Sequence, residues 1–277
     1  MFERLTLDPP KHRQELLRLR ARIEINRAVT LRRCSAVKAA HASAQRAIQD
    51  SQDDPGLQAE AYMVLASLLS HGGLSVLAMD AVSRAIDLAK NANEKILGQA
   101  WTQRGDILFR CGDFEEARTS FLQAIPLARR ARDHYNLVKL EGNVGACLFD
   151  LKRYDQARKR FVKAIDLARK YDDPAAEAFW LVELGRLALA EGKLDDADQQ
   201  AHAALRIAKP KEHLLTTFRA EWLRHLVVRE RDPKKADRHR LAYLRKLYLR
   251  VKEHRTLNAV TEFEDLVLTA STSQETP

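Results

Sequence analysis

The chain has 277 residues, 45% of them apolar and 31% charged, with a formal net charge of +9. That is enough apolar material for a continuous core, and ten glycines with eight prolines are few enough for long helices. No window approaches the ~18 apolar residues of a membrane span. The three cysteines, Cys34, Cys111 and Cys147, have neither metal-ligand spacing nor a partner nearby, which argues against a zinc or disulfide framework and for a reducing, cytoplasmic compartment; all three read as helix-packing thiols.

The first ten residues are a short lead in which Asp8-Pro9-Pro10 starts a helix. They lack the apolar run of a signal peptide. Residues 11–33 and 35–50 then read as a helix pair, a divergent first repeat over 11–50 in which Ala40, Ala47 and Ile48 foreshadow a later pattern. Asp53-Asp54-Pro55-Gly56 breaks the chain. A second divergent repeat over 57–92 follows as helices 57–70 and 74–91, joined by Gly72-Gly73, with Ala78, Val82, Ala85 and Ile86 in the places that Ala117, Phe121, Ala124 and Ile125 take 39 residues later.

Three clear copies follow over 96–133, 134–173 and 174–209, at a fixed step of 40 residues. Gly105, Gly145 and Gly185 mark the step; so do Phe114, Tyr154 and Leu194, Ala117, Ala157 and Ala197, Ala124, Ala164 and Ala204, and Ile125, Ile165 and Leu205. Such a repeat predicts stacked helix pairs. In the middle copy Leu137, Leu140, Val144 and Leu148 form one helical face, Lys152 and Arg153 a turn, and Tyr154, Ala157, Phe161, Ala164, Ile165 and Ala168 the face of a second helix, with Arg158, Lys159 and Lys163 toward water. A glycine in mid-helix costs about 1 kcal/mol against alanine, so three in register predict close helix approach. Pro126 predicts a kink in the second helix of its repeat.

Beyond Lys209-Pro210-Lys211 a divergent pair reads as helices 212–229 and 233–252, with Ala236 continuing the alanine series. A last helix over 257–269 carries Leu257, Val260, Phe263, Leu266 and Val267 on one face and Glu262, Glu264 and Asp265 on the other, suited to a cap. Residues 271–277 read as a polar, disordered tail. No linker-like stretch divides the chain, so residues 1–270 read as a single domain.

The repeat resembles the tetratricopeptide repeat. Its first clear copy reads Trp101, Arg104-Gly105, Leu108, Gly112-Asp113-Phe114, Ala117, Phe121, Ala124. The resemblance implies an all-α fold, a right-handed α-solenoid of five to six such helix pairs with a C-terminal capping helix. Arg104 departs from the family's Leu, Glu141 from its Trp and Ala201 from its Phe. The step exceeds the usual ~34 residues, and lengthened repeats of this kind look like those of bacterial peptide-receptor and signalling regulators and of eukaryotic polarity adaptors.

The resemblance also implies where a partner binds, because in this family the first helix of each pair lines a concave groove. Carried onto this chain, the groove holds Gln99, Gln103, Asp106 and Arg110, then Lys139, Asn143 and Asp150, then Phe179, Glu183 and Arg186. Asn143 stands where family members hold a peptide backbone or carboxylate. With Asn143 as the centre of the family's carboxylate clamp, Thr102 and Asp106 replace the expected Lys and Asn, and Phe179 and Glu183 the expected Lys and Arg. The mixed charges suit a peptide or helix carrying both signs.

Charge supports a second reading. Residues 206–255 hold 16 Lys or Arg against 6 Asp or Glu, and residues 1–50 hold 11 against 5. A basic C-terminal surface of Arg219, Arg224, Arg229, Lys234, Lys235, Arg238, Arg245, Lys246 and Arg250 would attract nucleic acid or another anionic surface. Tyr243, Tyr248 and Trp222 fall in apolar periodicity and read as core, which weakens that case. No HExxH, phosphate loop or serine elbow is present, His213 and His225 lack a carboxylate at ligand spacing, and no cofactor or metal is implied. The expectation is therefore a non-catalytic scaffold or regulatory module that binds a protein or peptide partner, with oligomeric state open.

Overall fold

The computed structural model describes residues 10–232 and 238–253, and within them finds twelve α-helices and no strand. They run α1 (Pro10–Arg33), α2 (Val37–Asp50), α3 (Pro55–His71), α4 (Ser75–Ala89), α5 (Glu94–Cys111), α6 (Phe114–Arg130), α7 (His134–Asp150), α8 (Tyr154–Lys170), α9 (Pro174–Ala190), α10 (Leu194–Ala208), α11 (Leu214–Arg231) and α12 (Arg238–Glu253). This is the all-α helical repeat that the periodicity predicts. The lead before Pro10, the helix start at Pro233, Lys234 and Lys235, the capping helix over 257–269 and the tail over 271–277 lie outside the described residues, as does the side chain of Arg238.

The step of 40 is written into the backbone of the turns. Left-handed φ values occur at Gly112 (+85°), Lys152 (+58°) and Gly192 (+75°) between the helices of a pair, and at Arg132 (+52°), Asp172 (+53°) and Glu212 (+53°) between pairs. Each such residue follows a helix end, and the next amide closes back onto it, as Asp113 donates to the Leu108 carbonyl, Arg153 to Leu148, Lys193 to Ala188, Asp133 to Ala128 and Asp173 to Ala168. This closure satisfies carbonyls that the helix leaves unpaired. Glycine meets the left-handed conformation at two of these six turns; lysine, arginine, aspartate and glutamate adopt it at the others, at a steric cost on the order of 1 kcal/mol each.

Helix starts are periodic too. Asp54, Asn93, Asp133 and Asp173 cap α3, α5, α7 and α9, each carboxylate or amide oxygen accepting from an amide two or three residues on at 2.8–3.3 Å. Such caps hold the first helix of each pair in place, at about 1 kcal/mol apiece. The expected start of α2 at Ser35 moves to Val37, because Ser35 sits in the turn with φ +60°.

The chain divides within α8, at Lys163 and Ala164, into two compact units. In the first, Ala21, Ile25, Ala47, Leu57 and Ala61 pack together, then Ala66, Ala78, Ala81, Val82 and Ile107, then Ala59, Ala85, Ile86, Ala89 and Ala100. Fully buried alanines let neighbouring helices approach closely. Gly105 goes further, since a Cβ there would stand 2.5 Å from the Phe121 ring, and one at Gly145 would stand 2.7 Å from Phe161. In the second unit Ala201 replaces that phenylalanine, and a Cβ on Gly185 would instead meet Leu223 of α11 at 2.6 Å. A side chain from the following pair has taken the vacated volume. The second unit also packs Phe218 against Leu244, Leu247, Tyr248 and Val251.

Two packing expectations change. Tyr243 is 43% exposed, because the inward register of α12 runs through Leu244, Leu247, Tyr248 and Val251, one residue out of step with it. Cys34 and Cys111 are exposed at helix ends, beside the turn residues Ser35 and Gly112, and Cys147 alone packs in the core. α6 extends on both sides of Pro126.

Candidate interaction surface

The first helices of consecutive pairs in the first unit are joined by polar contacts at about one repeat's separation. Gln103 Nε2 on α5 donates to the Met63 carbonyl of α3 at 2.6 Å, and Arg110 Nη2 donates to Ser70 Oγ of the same helix. One step on, Lys139 Nζ and Asn143 Nδ2 of α7 both donate to the Asp106 carboxylate of α5, at 2.9 and 3.2 Å. Thus Gln103, Asp106, Arg110, Lys139 and Asn143 come together as a ladder across α3, α5 and α7. Gln99 lies half-buried beside Asn136 and Leu140, and Asp150 is exposed at the end of α7.

The ladder leaves defined valences for a ligand. Asp106 uses both oxygens internally, and Gln103 spends its amide on a helix carbonyl. Asn143 Oδ1 and the remaining protons of the Lys139 ammonium, on a side chain 42% exposed, can still accept and donate. An extended backbone offers both complements.

In the second unit Phe179, Glu183 and Arg186 belong to a tighter cluster. Glu183 is buried, accepts from Arg186 at 2.8 Å and forms an ion pair with Arg219 of α11 at 3.0 Å, while the Arg219 guanidinium lies 4.8 Å from the Phe179 ring. A carboxylate so engaged is a packing element, leaving Phe179 and Arg186 as the accessible part. Arg219, expected on a basic surface, is therefore mostly committed inward. Arg224 likewise holds Asp198 at 3.2 Å, and Arg229 is half-buried, whereas Arg245, Lys246 and Arg250 are exposed on α12.

Sequence reasoning missed the most concentrated charge cluster. Glu141, at the position of Trp101 one repeat earlier, is fully buried and receives Arg160 at 2.5 Å, Lys163 at 2.6 Å and Arg129 at 3.2 Å. Lys163 is exposed, as expected, yet its ammonium reaches the buried carboxylate. Burial pushes the Glu141 carboxyl up, but hydrogen bonds from Lys163 and Arg160 outweigh it and hold the group below the usual carboxylate range. The signal lay in the period: Glu221 stands 80 residues on, buried in the same way, and Lys209 reaches it at 2.7 Å from the place that Arg129 takes before Glu141. At the intervening step Leu181 is buried, and Arg169 turns to Glu177 at 2.7 Å.

Among the described residues no group of His, Cys, Asp and Glu is arranged to hold a metal ion, and no helix is long and apolar enough to cross a membrane.

Models of the tetratricopeptide repeat match residues 98–130 and 137–209. Comparison with curated proteins returns no match. Among solved structures the apo form of RapI is similar at a TM-score of 0.71 and 15% identity over 91% of this chain and 94% of that one. Aspartyl phosphate phosphatase F from Bacillus subtilis gives 0.71 and 15%, over 88% of this chain and 65% of its own, and a Rap protein complexed with Competence and Sporulation Factor gives 0.63 and 15%, over 92% and 76%. At these identities the likeness is one of fold. With the period of 40 and the helix pairs, the matched stretches 98–130 and 137–209 are tetratricopeptide repeats within an all-α helical-repeat fold.

Proposed function

We propose that the chain is a non-catalytic interaction module of a reducing, cytoplasmic compartment that binds an extended peptide or partner segment along the first helices of its pairs. The observation that carries this reading is the ladder joining α3, α5 and α7, in which Asp106 holds Lys139 and Asn143 side by side and leaves one acceptor and one cationic donor for a ligand backbone. A similar fold, a Rap protein, has been solved in complex with a factor that it binds, which supports reading this fold as a receptor. The basic end is the competing surface, and Arg245, Lys246 and Arg250 are its exposed members.

The test is capture from lysate of the source cell with the full chain, with and without nuclease and at low and high salt. The same capture uses Lys139→Ala/Asn143→Ala and Lys246→Glu/Arg250→Glu. Alanine serves at Lys139 because a carboxylate there would repel Asp106. Expected is a discrete protein that survives nuclease and salt and is lost, about tenfold or more, from the α7 variant alone. Recovery of nucleic acid that disappears with salt and with the α12 variant overturns the reading.

A further inference from the structure

Among the described residues of the first unit, one apolar surface packs against no other element. α1 (Pro10–Arg33) buries Ala21, Ile25 and Ala28, and on the opposite side it exposes Leu16, Leu19 and Ile23, at 57%, 56% and 65%. Their spacing of three and four makes one stripe along the helix. Exposed arginines border it, Arg13, Arg20 and Arg27 along one edge and Arg22 and Arg33 along the other. α1 carries eight Lys or Arg against Glu15 and Glu24, and Glu24 is buried between Arg27 and Arg46. The stripe therefore asks for a helix with an apolar face and carboxylates beside it.

The chain contains one such segment. Residues 256–277 carry Glu262, Glu264, Asp265 and Glu275 and no Lys or Arg, and Leu257, Val260, Phe263 and Val267 recur at helical spacing. The segment begins just beyond α12, which ends at Glu253. We propose that residues 257–269 of a second copy dock on the Leu16, Leu19 and Ile23 stripe of α1, with their carboxylates against its arginines. In a repeat array the terminal faces are the ones that lack a neighbour. Docking a segment of one copy on a different surface of the next is a heterologous contact, which builds open or closed chains of subunits. This association is independent of the ligand ladder on α5 and α7.

Sedimentation of the full chain tests it, with Leu19→Asp/Ile23→Asp altering only the stripe and Phe263→Asp only the segment; circular dichroism confirms that each variant folds. The wild type is expected to associate as concentration rises, and each variant alone is expected to weaken that association at least tenfold. Mixed in equal amounts, the variants retain one intact stripe and one intact segment between them, so they are expected to form a dimer that grows no further. A wild type that stays monomeric overturns the proposal, as does association unchanged by either variant or a mixture that forms no dimer. Sedimentation with vesicles of anionic lipid in place of self-association overturns it as well, in favour of a basic amphipathic helix that lies on membranes.

Discussion

Glu141 shows how one substitution in a repeat changes its chemistry. An apolar slot holds Trp101 in one copy and Leu181 in another, yet here it encloses a carboxylate with three cations. A fully buried charge is tolerated only when it is paired and hydrogen-bonded. Glu141→Gln keeps the shape and removes the charge, and is expected to cost about 2 kcal/mol at neutral pH, because Arg129 and Lys163 are partly exposed and recover hydration. Because the folded carboxyl titrates below its ordinary 4.5, its contribution is complete above that pH and is lost as pH falls through the lowered value. Urea unfolding at pH 7 and at progressively lower pH should show the gap between variant and wild type closing below about 4.5. Cys147 makes a second residue-scale case. Burial first, then the nearby Asp150, pushes its thiol up to about 12. In the native protein at pH 8, alkylation should modify the exposed Cys34 and Cys111 and spare Cys147 until denaturant is added, read as two adducts and then three by mass spectrometry.

At the scale of the element, the repeats solve one packing problem in two ways. Phe121 and Phe161 lie against Gly105 and Gly145 from within their own pair, whereas Leu223 reaches Gly185 from the next. Ala201→Phe should therefore collide with Leu223 and cost about 1–3 kcal/mol, and Leu223→Ala should cost about 2–5 kcal/mol by opening a cavity. The double variant restores the arrangement of the earlier copies and is expected to be more stable than the sum of the singles, a favourable coupling measurable by denaturant unfolding. The helices, their pairing and the meaning of the glycines were legible because the step of 40 repeats both the apolar face and the small residue opposite it. What escaped was the partner of each side chain. Lys163 is a surface lysine both in the one-dimensional pattern and in the fold, and only the approach of α7 to α8 supplies the carboxylate that its ammonium reaches. The ladder was half legible: the row of Asp106, Lys139 and Asn143 follows from the family's geometry, but Glu183 in the same row is buried beneath Arg186 and Arg219.

At the scale of the whole molecule, a net charge of +9 is held unevenly, and much of it is neutralised locally, as at Arg219, Arg224 and Arg129. The surplus on α1 matters for the proposed association. If arginines draw in an acidic segment, that association should weaken roughly tenfold between low and high salt as the pairs are screened, while the apolar stripe preserves the remainder; sedimentation equilibrium across a salt series reads this directly.

By itself the sequence determined that the chain is all helical, where most helices begin and end, and that they pair with a period of 40. These follow from local causes, namely apolar periodicity, capping residues and turn residues, which act over a few positions. Only the tertiary structure decided which of two chemically similar side chains is exposed or paired: Tyr243 or Tyr248, Cys111 or Cys147, Arg245 or Arg219. Burial depends on what a neighbouring helix brings to the same place, and that neighbour lies 20 to 40 residues away, where no local pattern records it.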